Sequence, residues 1–215
     1  MKGIEVRNVR KSFHGNAVLK DVSLSCRPGT ITGIVGRNGS GKSVLFKVIC
    51  GLVIPESGEV FVDGKQIGRD IDFPETVGAL IEQPGFMFTE SGFRNLKELA
   101  VIRHKIDDDT IRRTLTKVGL DGATGKWVGR YSLGMKQRLG IAQAIMEEPS
   151  TLIMDEPMNG LDYEGIELVR QLLQELKAQG RCILLASHNK EDIELLCDEV
   201  YELSGGCLFK KTAEE

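Results

Sequence analysis

The sequence predicts an α/β protein built on a mostly parallel β-sheet, with an antiparallel β arm and an inserted helical subdomain. Short apolar runs alternate with amphipathic helical patterns, which is the order that produces parallel strands joined by helices. Residues 5–9 and 18–25 instead alternate apolar and polar side chains, as strands of a half-covered arm do. We expect a single domain over 1–215, and its parts are a core in 1–85 and 131–215 and a helical subdomain in about 86–130.

Local patterns predict the individual elements of this fold. Short apolar or β-rich runs are typical of strands buried in a parallel sheet, and they occur at 30–35, 77–81, 152–154 and Cys182–Ala186. Apolar residues three and four apart predict helices, and such runs occur at 44–50, 110–118, 133–146, 163–177 and Lys190–Leu196. Residues 59–64 resemble one arm of a hairpin, and the tail around Gly205 and Gly206 is predicted to fold back as short strands.

Composition excludes several classes of function. The chain has 215 residues, a net charge of −3 and a pI near 5.8, which argue against nucleic acid as a partner because phosphate backbones bind basic surfaces. No apolar run approaches the ~18 residues of a membrane span, and residues 1–10 lack the apolar core of a secretion signal. The five cysteines are odd in number and lack CxxC spacing, so we interpret them as reduced core residues of a cytoplasmic protein.

A glycine-rich loop at residues 36–43, here called the phosphate loop, carries a strong chemical signal. It fits the pattern GxxxxGKS/T between a predicted strand and a predicted helix. Glycines let the backbone curl so that several N–H groups point at one anion, and the helix adds its positive N-terminal end. In this pattern the lysine reaches the β- and γ-phosphates and the serine binds Mg²⁺. The predicted nucleotide-binding residues are Gly36, Arg37, Asn38, Gly39, Ser40, Gly41, Lys42 and Ser43.

Two carboxylates follow the apolar run 152–154. Asp155 at the end of the predicted strand is expected to hold Mg²⁺, directly or through water. Glu156 is then placed to polarise the attacking water as a general base. A solvated turn after a buried strand is the ordinary alternative, and the phosphate loop upstream favours the magnesium interpretation.

Residues 131–138, here called the signature segment, read YSLGMKQR. A serine and exposed N–H groups at a helix start suit a phosphate. The segment resembles the LSGGQ signature of ABC ATPases, with Ser132 and Gly134 at the signature serine and second glycine. Leu133 replaces the first glycine and Met135 replaces the glutamine. The resemblance implies a head-to-tail dimer with two ATP molecules at its interface, in which Ser132 and Gly134 contact the nucleotide held by the other subunit.

Four further positions match this family in the expected order. Phe13 lies where an aromatic residue stacks on adenine, and Gln83 lies where the family has a glutamine that senses Mg²⁺ and water. Asp162 ends the NGLD turn (residues 159–162), which resembles the family's D-loop. His188 follows a predicted strand, like the switch histidine that contacts the γ-phosphate. Each residue alone has an ordinary structural alternative, and their joint order is what carries the resemblance.

The resemblance implies a P-loop NTPase fold of the ABC ATPase type and an enzyme that hydrolyses ATP with Mg²⁺. The sequences of residues 131–138 and 156–162 resemble those of the bacitracin-exporter type of ABC subunit. In that type the membrane half is a separate protein. The implied partners are ATP, a second copy or a paralogous ABC subunit, and a transmembrane permease. The implied location is the cytoplasm, peripheral on the inner face of the membrane. Residues 84–93, here called the docking segment, are a candidate permease contact because of Phe86, Phe88 and Phe93, with subdomain core as the alternative.

Two competing functions remain at this stage. Residues 189–192 match NKxD, the motif that reads guanine in GTPases, and residues 162–165 match DxxG. However, DxxG should end a strand, whereas here it opens a predicted helix, and the two motifs are too close for the strand–helix–strand block expected between them. A soluble ABC ATPase that acts in assembly or regulation rather than transport stays open.

Overall fold

A computed structural model describes residues 3–83, 85–123 and 125–211, which form two β-sheets and six α-helices. The strands are β1 (Ile4–Phe13), β2 (Asn16–Cys26), β3 (Ile31–Val35), β4 (Ser57–Val62), β5 (Lys65–Gln66), β6 (Val77–Leu80), β7 (Thr151–Asp155), β8 (Cys182–Ala186), β9 (Glu199–Ser204) and β10 (Cys207–Lys211). The helices are α1 (Lys42–Ile49), α2 (Gly92–Arg103), α3 (Asp108–Lys117), α4 (Leu133–Ile145), α5 (Tyr163–Ala178) and α6 (Lys190–Leu196).

The first sheet has four strands and is the antiparallel arm that the sequence predicts. Its strand order is β2-β1-β4-β5, and Ile4 on β1 pairs with Cys26 on one side and Val62 on the other. β1 and β2 are longer than the alternating patterns indicate, because cross-strand pairing continues to Phe13 and Asn16 at the hairpin. A register shift interrupts the pairing after Val6, so the arm is bent along its length.

The second sheet is mostly parallel, which confirms the predicted fold class. Its order is β10-β9-β3-β8-β7-β6, and every neighbouring pair runs parallel except β10 with β9. In such a sheet the carboxyl ends of the strands meet at one edge, where ligands bind. The segments after β3, β6, β7 and β8 therefore meet at this edge, and they contain the phosphate loop, Gln83, Glu156 and His188.

Helix α1 lies between the two sheets and buries most of its surface there. Leu45, Phe46 and Ile49 are fully buried in a cluster with residues of the arm, such as Val9, and of the core sheet, such as Leu184. The helix begins at Lys42, earlier than the apolar pattern from residue 44 predicts, because the last residues of the phosphate loop already have helical geometry. The loop is thus continuous with a rigid element.

Helices α2 to α5 cover the other face of the core sheet. All four start at side-chain caps, and on the first two Ser91 accepts from Arg94 N and Asp107 accepts from Thr110 N. On α5 the apolar residues Val169, Leu172, Leu173 and Leu176 are buried, while Ile166 is partly buried. These helices share one apolar cluster with the sheet, so α4 is held firmly above β6.

Candidate nucleotide-binding site

The phosphate loop follows β3 and leads into α1, and it packs closely on its neighbours. Gly41 has φ +108° and precedes the helix, and a Cβ there would lie 3.1 Å from both Val18 O and Val18 Cγ1. A Cβ at Gly36 would lie 2.5 Å from Leu203 O. Glycine is therefore required at both positions, by conformation at Gly41 and by the close approach of β9 at Gly36.

Lys42 connects the two ends of the phosphate loop. Its side chain is buried, with the residue 8% exposed, and Nζ donates to Gly36 O at 2.7 Å. A longer contact of 3.4 Å joins Nζ to Arg37 O. An ammonium group has three donors, so Lys42 can also donate to phosphate oxygens in the loop. Ser40 Oγ is buried without a hydrogen-bond partner among the described residues, which leaves a polar atom in the loop for a ligand to satisfy.

Ser43 and Asp155 form the pair of oxygen ligands expected for Mg²⁺. Ser43 Oγ donates to Asp155 Oδ2 at 2.7 Å across the start of α1 and the end of β7. Burial raises the pKa of Asp155, the Ser43 hydrogen bond opposes that rise, and the neighbouring Glu156 carboxylate adds to it. A divalent cation would stabilise the charged carboxylate, and hydroxyl and carboxylate oxygens are ligands that Mg²⁺ accepts. The donor set therefore fits this metal.

Glu156 and His188 are in direct contact. Glu156 Oε2 accepts from His188 N at 3.2 Å and lies 2.7 Å from His188 Nδ1. Glu156 is held in place by its own amide, which donates to Ala186 O at 2.9 Å. Its φ of +52° lies in the left-handed region, which is strained for a residue with a Cβ. Strained residues of this kind are concentrated at functional sites.

A cavity of about 610 Å³ lies over the phosphate loop, within the size range of small-ligand sites. The lining contains these residues that the sequence predicts as site residues: Asn38, Gly39, Gly41, Lys42, Ser43, Gln83, Asp155 and Glu156. Its other lining residues are Val18, Val44, Glu82, Leu133, Gln137 and Asn159. Gln83 is exposed to solvent at the cavity edge, and the adjacent Glu82 forms an ion pair with Lys47 at 2.7 Å.

Sequence reasoning did not single out several of these residues as site residues. Leu133 and Gln137 are four apart on α4, so one face of the helix that follows the signature serine reaches the cavity. That spacing was available in the sequence, but only the fold shows which face points inward. Val18 reaches the cavity through the close approach of β2 to Gly41, which no local pattern indicates.

Phe13 lies outside the lining of this cavity. It ends β1 at the hairpin with β2, and its ring is 41% exposed, with Lys11 Nζ 5.3 Å from the ring centre. The Lys11 ammonium group lies over the Phe13 ring, and the arm residue that lines the cavity is Val18.

The signature segment and the NGLD turn pack on each other. Ser132 caps α4 by accepting from Met135 N at 3.2 Å, and Asp162 caps α5 by accepting from Gly165 N at 3.0 Å. Gly134 allows the close approach, because a Cβ there would lie 2.9 Å from Gly160 O. Ser132 and Asp162 are both exposed, so their surface is available to a second subunit.

The NKxD match does not form a guanine site. Asp192 is 1% exposed, and its Oδ1 accepts from Arg170 Nε at 2.9 Å and from Arg170 Nη2 at 2.6 Å. Its other oxygen accepts from Ser187 Oγ at 3.1 Å. The carboxylate that would read guanine is therefore occupied inside the fold, and the DxxG match opens α5 rather than ending a strand.

Comparison with known proteins identifies the family. The family model described as "ABC transporter" matches residues 19–159. This chain belongs to the ABC transporter family. The uncharacterized ABC transporter ATP-binding protein YybJ of Bacillus subtilis is 41% identical over 205 residues, which covers 95% of this chain and 94% of the relative.

Two further ABC relatives carry functional names. The bacitracin transport ATP-binding protein BcrA of Enterococcus faecalis is 38% identical. The match covers 97% of this chain and 68% of BcrA. The lantibiotic transport ATP-binding protein SrtF of Streptococcus pyogenes is 35% identical. The match covers 91% of this chain and 84% of SrtF.

Solved ABC structures agree with the fold. An ATP-binding subunit of an ABC transporter superimposes with a TM-score of 0.88 at 28% identity and covers 99% of this chain and 91% of its own. The dimeric bacterial ABC transporter cassette MJ0796 also gives 0.88, with 99% of each chain covered, and at 22% identity it shows the fold alone.

Membership of the ABC family establishes the general activity. The chain is an ATP-binding subunit that hydrolyses ATP, as the phosphate loop and the two carboxylates predict. ATP-binding subunits of ABC transporters act with a transmembrane permease. No helix in residues 3–83, 85–123 and 125–211 is long and apolar enough to cross a membrane.

Proposed function

We propose that this chain is the ATPase subunit of an exporter and that it drives a separate permease by ATP-dependent closure and reopening of a dimer. The contact between Glu156 and His188, beside the Ser43–Asp155 pair, carries the proposal. His188 contacts Glu156, and Glu156 lines the same cavity as Ser43 and Asp155. We assign to these neighbouring side chains the roles of general base, γ-phosphate contact and metal-binding pair. The names of BcrA and SrtF, a bacitracin and a lantibiotic transport ATP-binding protein, support export. Such a subunit works in the cytoplasm on the inner face of the membrane.

The phosphate loop binds the triphosphate in this proposal. Its N–H groups and Lys42 hold the phosphates, and residues 37–40 form a turn in which Ser40 N donates to Arg37 O at 3.1 Å. Ser43 and Asp155 hold Mg²⁺, with Gln83 at the exposed edge. When bound, Mg²⁺ neutralises charge on the phosphate oxygens. The ring of Phe13 is the proposed surface for adenine.

Glu156 polarises the attacking water and His188 contacts the γ-phosphate. Because His188 N and Nδ1 both contact Oε2, the other carboxylate oxygen remains available to accept a proton from water. His188 and Glu156 thus hold each other in position. Loss of either contact is expected to slow hydrolysis more than nucleotide binding.

A second subunit completes each site. Ser132 and Gly134 present the N-terminal end of α4 to the partner's nucleotide, where exposed N–H groups suit a phosphate. Asp162, in the NGLD turn packed against them, lies at the same surface. The partner is a second copy or a paralogous ABC subunit.

The permease contacts the docking segment together with the helical subdomain, residues 86–130. Phe86 and Phe93 pack against the apolar core, whereas Phe88 is 58% exposed and Met87 is 45% exposed, and Pro84 lies outside the described residues. The contact is therefore assigned to Met87 and Phe88. Gly129 N donates to Phe88 O at 2.9 Å. A displacement of the docking segment would therefore also displace the residues just before Ser132.

Glu156→Gln tests the proposed mechanism. The variant keeps the side-chain shape but cannot accept a proton, so it should bind MgATP, lose at least roughly 100-fold in turnover, and accumulate as an ATP-bound dimer. Size-exclusion chromatography and a phosphate-release assay measure these effects. A variant that turns over at the wild-type rate and stays monomeric in MgATP would overturn the assignment.

Phe88→Ser tests the permease contact. Leu195→Ser is the matched control, because Leu195 is 56% exposed on α6, outside the docking segment. Phe88→Ser should abolish co-purification with the permease and any permease-dependent rise in ATPase rate, while the basal rate stays unchanged. Equal retention of the permease by both variants would place the contact elsewhere.

A further inference from the structure

The side chain of Gln137 contacts the backbone that carries the proposed general base. Nε2 donates to Glu156 O at 2.9 Å and to Pro157 O at 3.2 Å. A glutamine amide has two N–H donors, so both are directed at consecutive carbonyl groups. Gln137 belongs to the signature segment and lies after the first turn of α4. Its contact joins that helix to the residues that follow β7.

The backbone of Glu156 needs support because it is strained. Its φ of +52° is unfavourable for a residue with a Cβ, and such a conformation persists only where neighbouring groups hold it. On one side, Glu156 N donates to Ala186 O at 2.9 Å. On the other side, Glu156 O accepts from Asn159 N at 3.1 Å and from the Gln137 amide. Among these contacts the Gln137 contact is made by a side chain, and the others are made by the main chain.

The position of this peptide sets the position of the carboxylate. Glu156 Oε2 lies 2.7 Å from His188 Nδ1, and both Glu156 and Gln137 line the cavity over the phosphate loop. A shift of the Glu156 backbone would move Cα and with it the carboxylate that contacts His188. Displacement of a catalytic group by about 1 Å can lower a rate up to ~100-fold without removing the group.

We propose that Gln137 is a positioning residue for ATP hydrolysis, which holds the strained Glu156 peptide so that its carboxylate faces His188 and the cavity. The inference rests on the proposed role of Glu156 as general base. It differs from the role of the neighbouring Ser132 and Gly134, because Gln137 acts within its own chain and on its own chain's base.

The test uses Gln137→Met, which keeps the length of the side chain and removes both donors. Gln143→Met is the matched control, because Gln143 is a partly buried glutamine on the same helix, six residues further along, and does not line the cavity. Gln137→Met should lower kcat at least roughly tenfold, with KM and the nucleotide Kd within about twofold of wild type. Gln143→Met should leave all three values unchanged.

Single-turnover hydrolysis in the Glu156→Gln background separates positioning from a general structural role. If Gln137 acts through the Glu156 carboxylate, adding Gln137→Met to that background should cause no further loss of rate. A further tenfold loss there, or a wild-type kcat in the single variant, would overturn the inference. A Glu156→Gln variant with undiminished turnover would instead overturn the proposed function, so the two failures are distinguishable.

Discussion

The side chain of Leu133 lies directly against Gly160, so the signature segment and the NGLD turn are packed together within one chain. A Cβ at residue 160 would lie 2.6 Å from Leu133 Cδ2 and 2.8 Å from Leu133 Cγ. The leucine that replaces the family's first signature glycine therefore occupies the space that Gly160 leaves open. This pairing of Leu133 with Gly160 leads to a specific prediction.

Gly160→Ala should destabilise the protein for two reasons. Gly160 has φ +74°, where an alanine costs about 1–2 kcal/mol, and the new methyl group must also displace Leu133. Gly180→Ala is the control, because Gly180 has φ +85° with nothing within 4 Å of an added Cβ. Urea unfolding should show Gly160→Ala as the less stable variant by about 1 kcal/mol. That excess should vanish in a Leu133→Ala background, and its persistence would contradict the pairing.

Asp192→Ala should be destabilising because it removes the buried carboxylate partner of Arg170 and leaves the more exposed Glu167 and Glu191 as its remaining partners. The side chains of Arg170 and Asp192 are 8% and 2% exposed, and because two partners remain, the cost should lie near the lower end of the range of about 3–5 kcal/mol for breaking a buried pair. Glu98→Ala removes the exposed partner of Arg94 and should cost under about 0.5 kcal/mol. Chemical denaturation measures both. Equal effects of the two variants would show that the buried pair contributes no more than a surface pair.

Ser43→Ala should weaken the use of Mg²⁺ more than the binding of nucleotide. The change removes the hydroxyl that donates to Asp155, while the other groups of the phosphate loop remain. The Mg²⁺ concentration for half-maximal ATPase activity should rise at least roughly tenfold, and chelation of Mg²⁺ should stop hydrolysis by the wild type. Ser43→Thr keeps the hydroxyl and is the control. An unchanged Mg²⁺ dependence in Ser43→Ala would remove Ser43 from the metal site.

Burial of Cys50 predicts a loss of stability at alkaline pH. Burial raises the pKa of Cys50 from an ordinary value of 9.0 to about 12. The unfolded thiol therefore loses its proton first, so the stability contribution is complete below about pH 9 and is lost as the pH rises toward 12. The slope from this group is about 1.4 kcal/mol per pH unit within that window.

Cys50→Ala is the variant that tests this pH dependence, with the partly exposed Cys207→Ala as control. The free energy of unfolding, measured by urea at pH 8 and pH 10, should fall less steeply with pH in Cys50→Ala than in wild type. Cys207→Ala should keep the wild-type slope. An identical slope in Cys50→Ala would show that the thiol is exposed to solvent in the folded state.

Local patterns were sufficient for much of the fold. The phosphate loop, the run ending at Asp155 and the helix 163–177 are set by spacing within a few residues, and the structure has the predicted strands and helices at these places. The longer β1 and the early start of α1 were not predictable in this way. They depend on pairing with β2 and on the geometry of Lys42 and Ser43, which are not encoded by an apolar period.

The docking segment shows that local sequence patterns also do not decide which residues are exposed at the surface. Its three phenylalanines are equivalent in the sequence, but the fold buries Phe86 and Phe93 against the core and leaves Phe88 exposed. A sequence period distinguishes two faces of a helix, and only residues 92 and 93 of this segment belong to one. Only the packing of α2 and of residues 127–129 decides which ring meets solvent.

The sequence by itself determined the family, the order of the motifs and the chemistry of ATP hydrolysis, because each motif is a short run whose function depends on residue type and spacing. The tertiary structure decided which distant residues meet. It joined Glu156 to His188 and Gln137, buried Asp192 against Arg170, and set Leu133 on Gly160. These contacts arise from parallel strands that end at one edge of a sheet and from helices packed over it, and such long-range proximity leaves no local pattern in the chain.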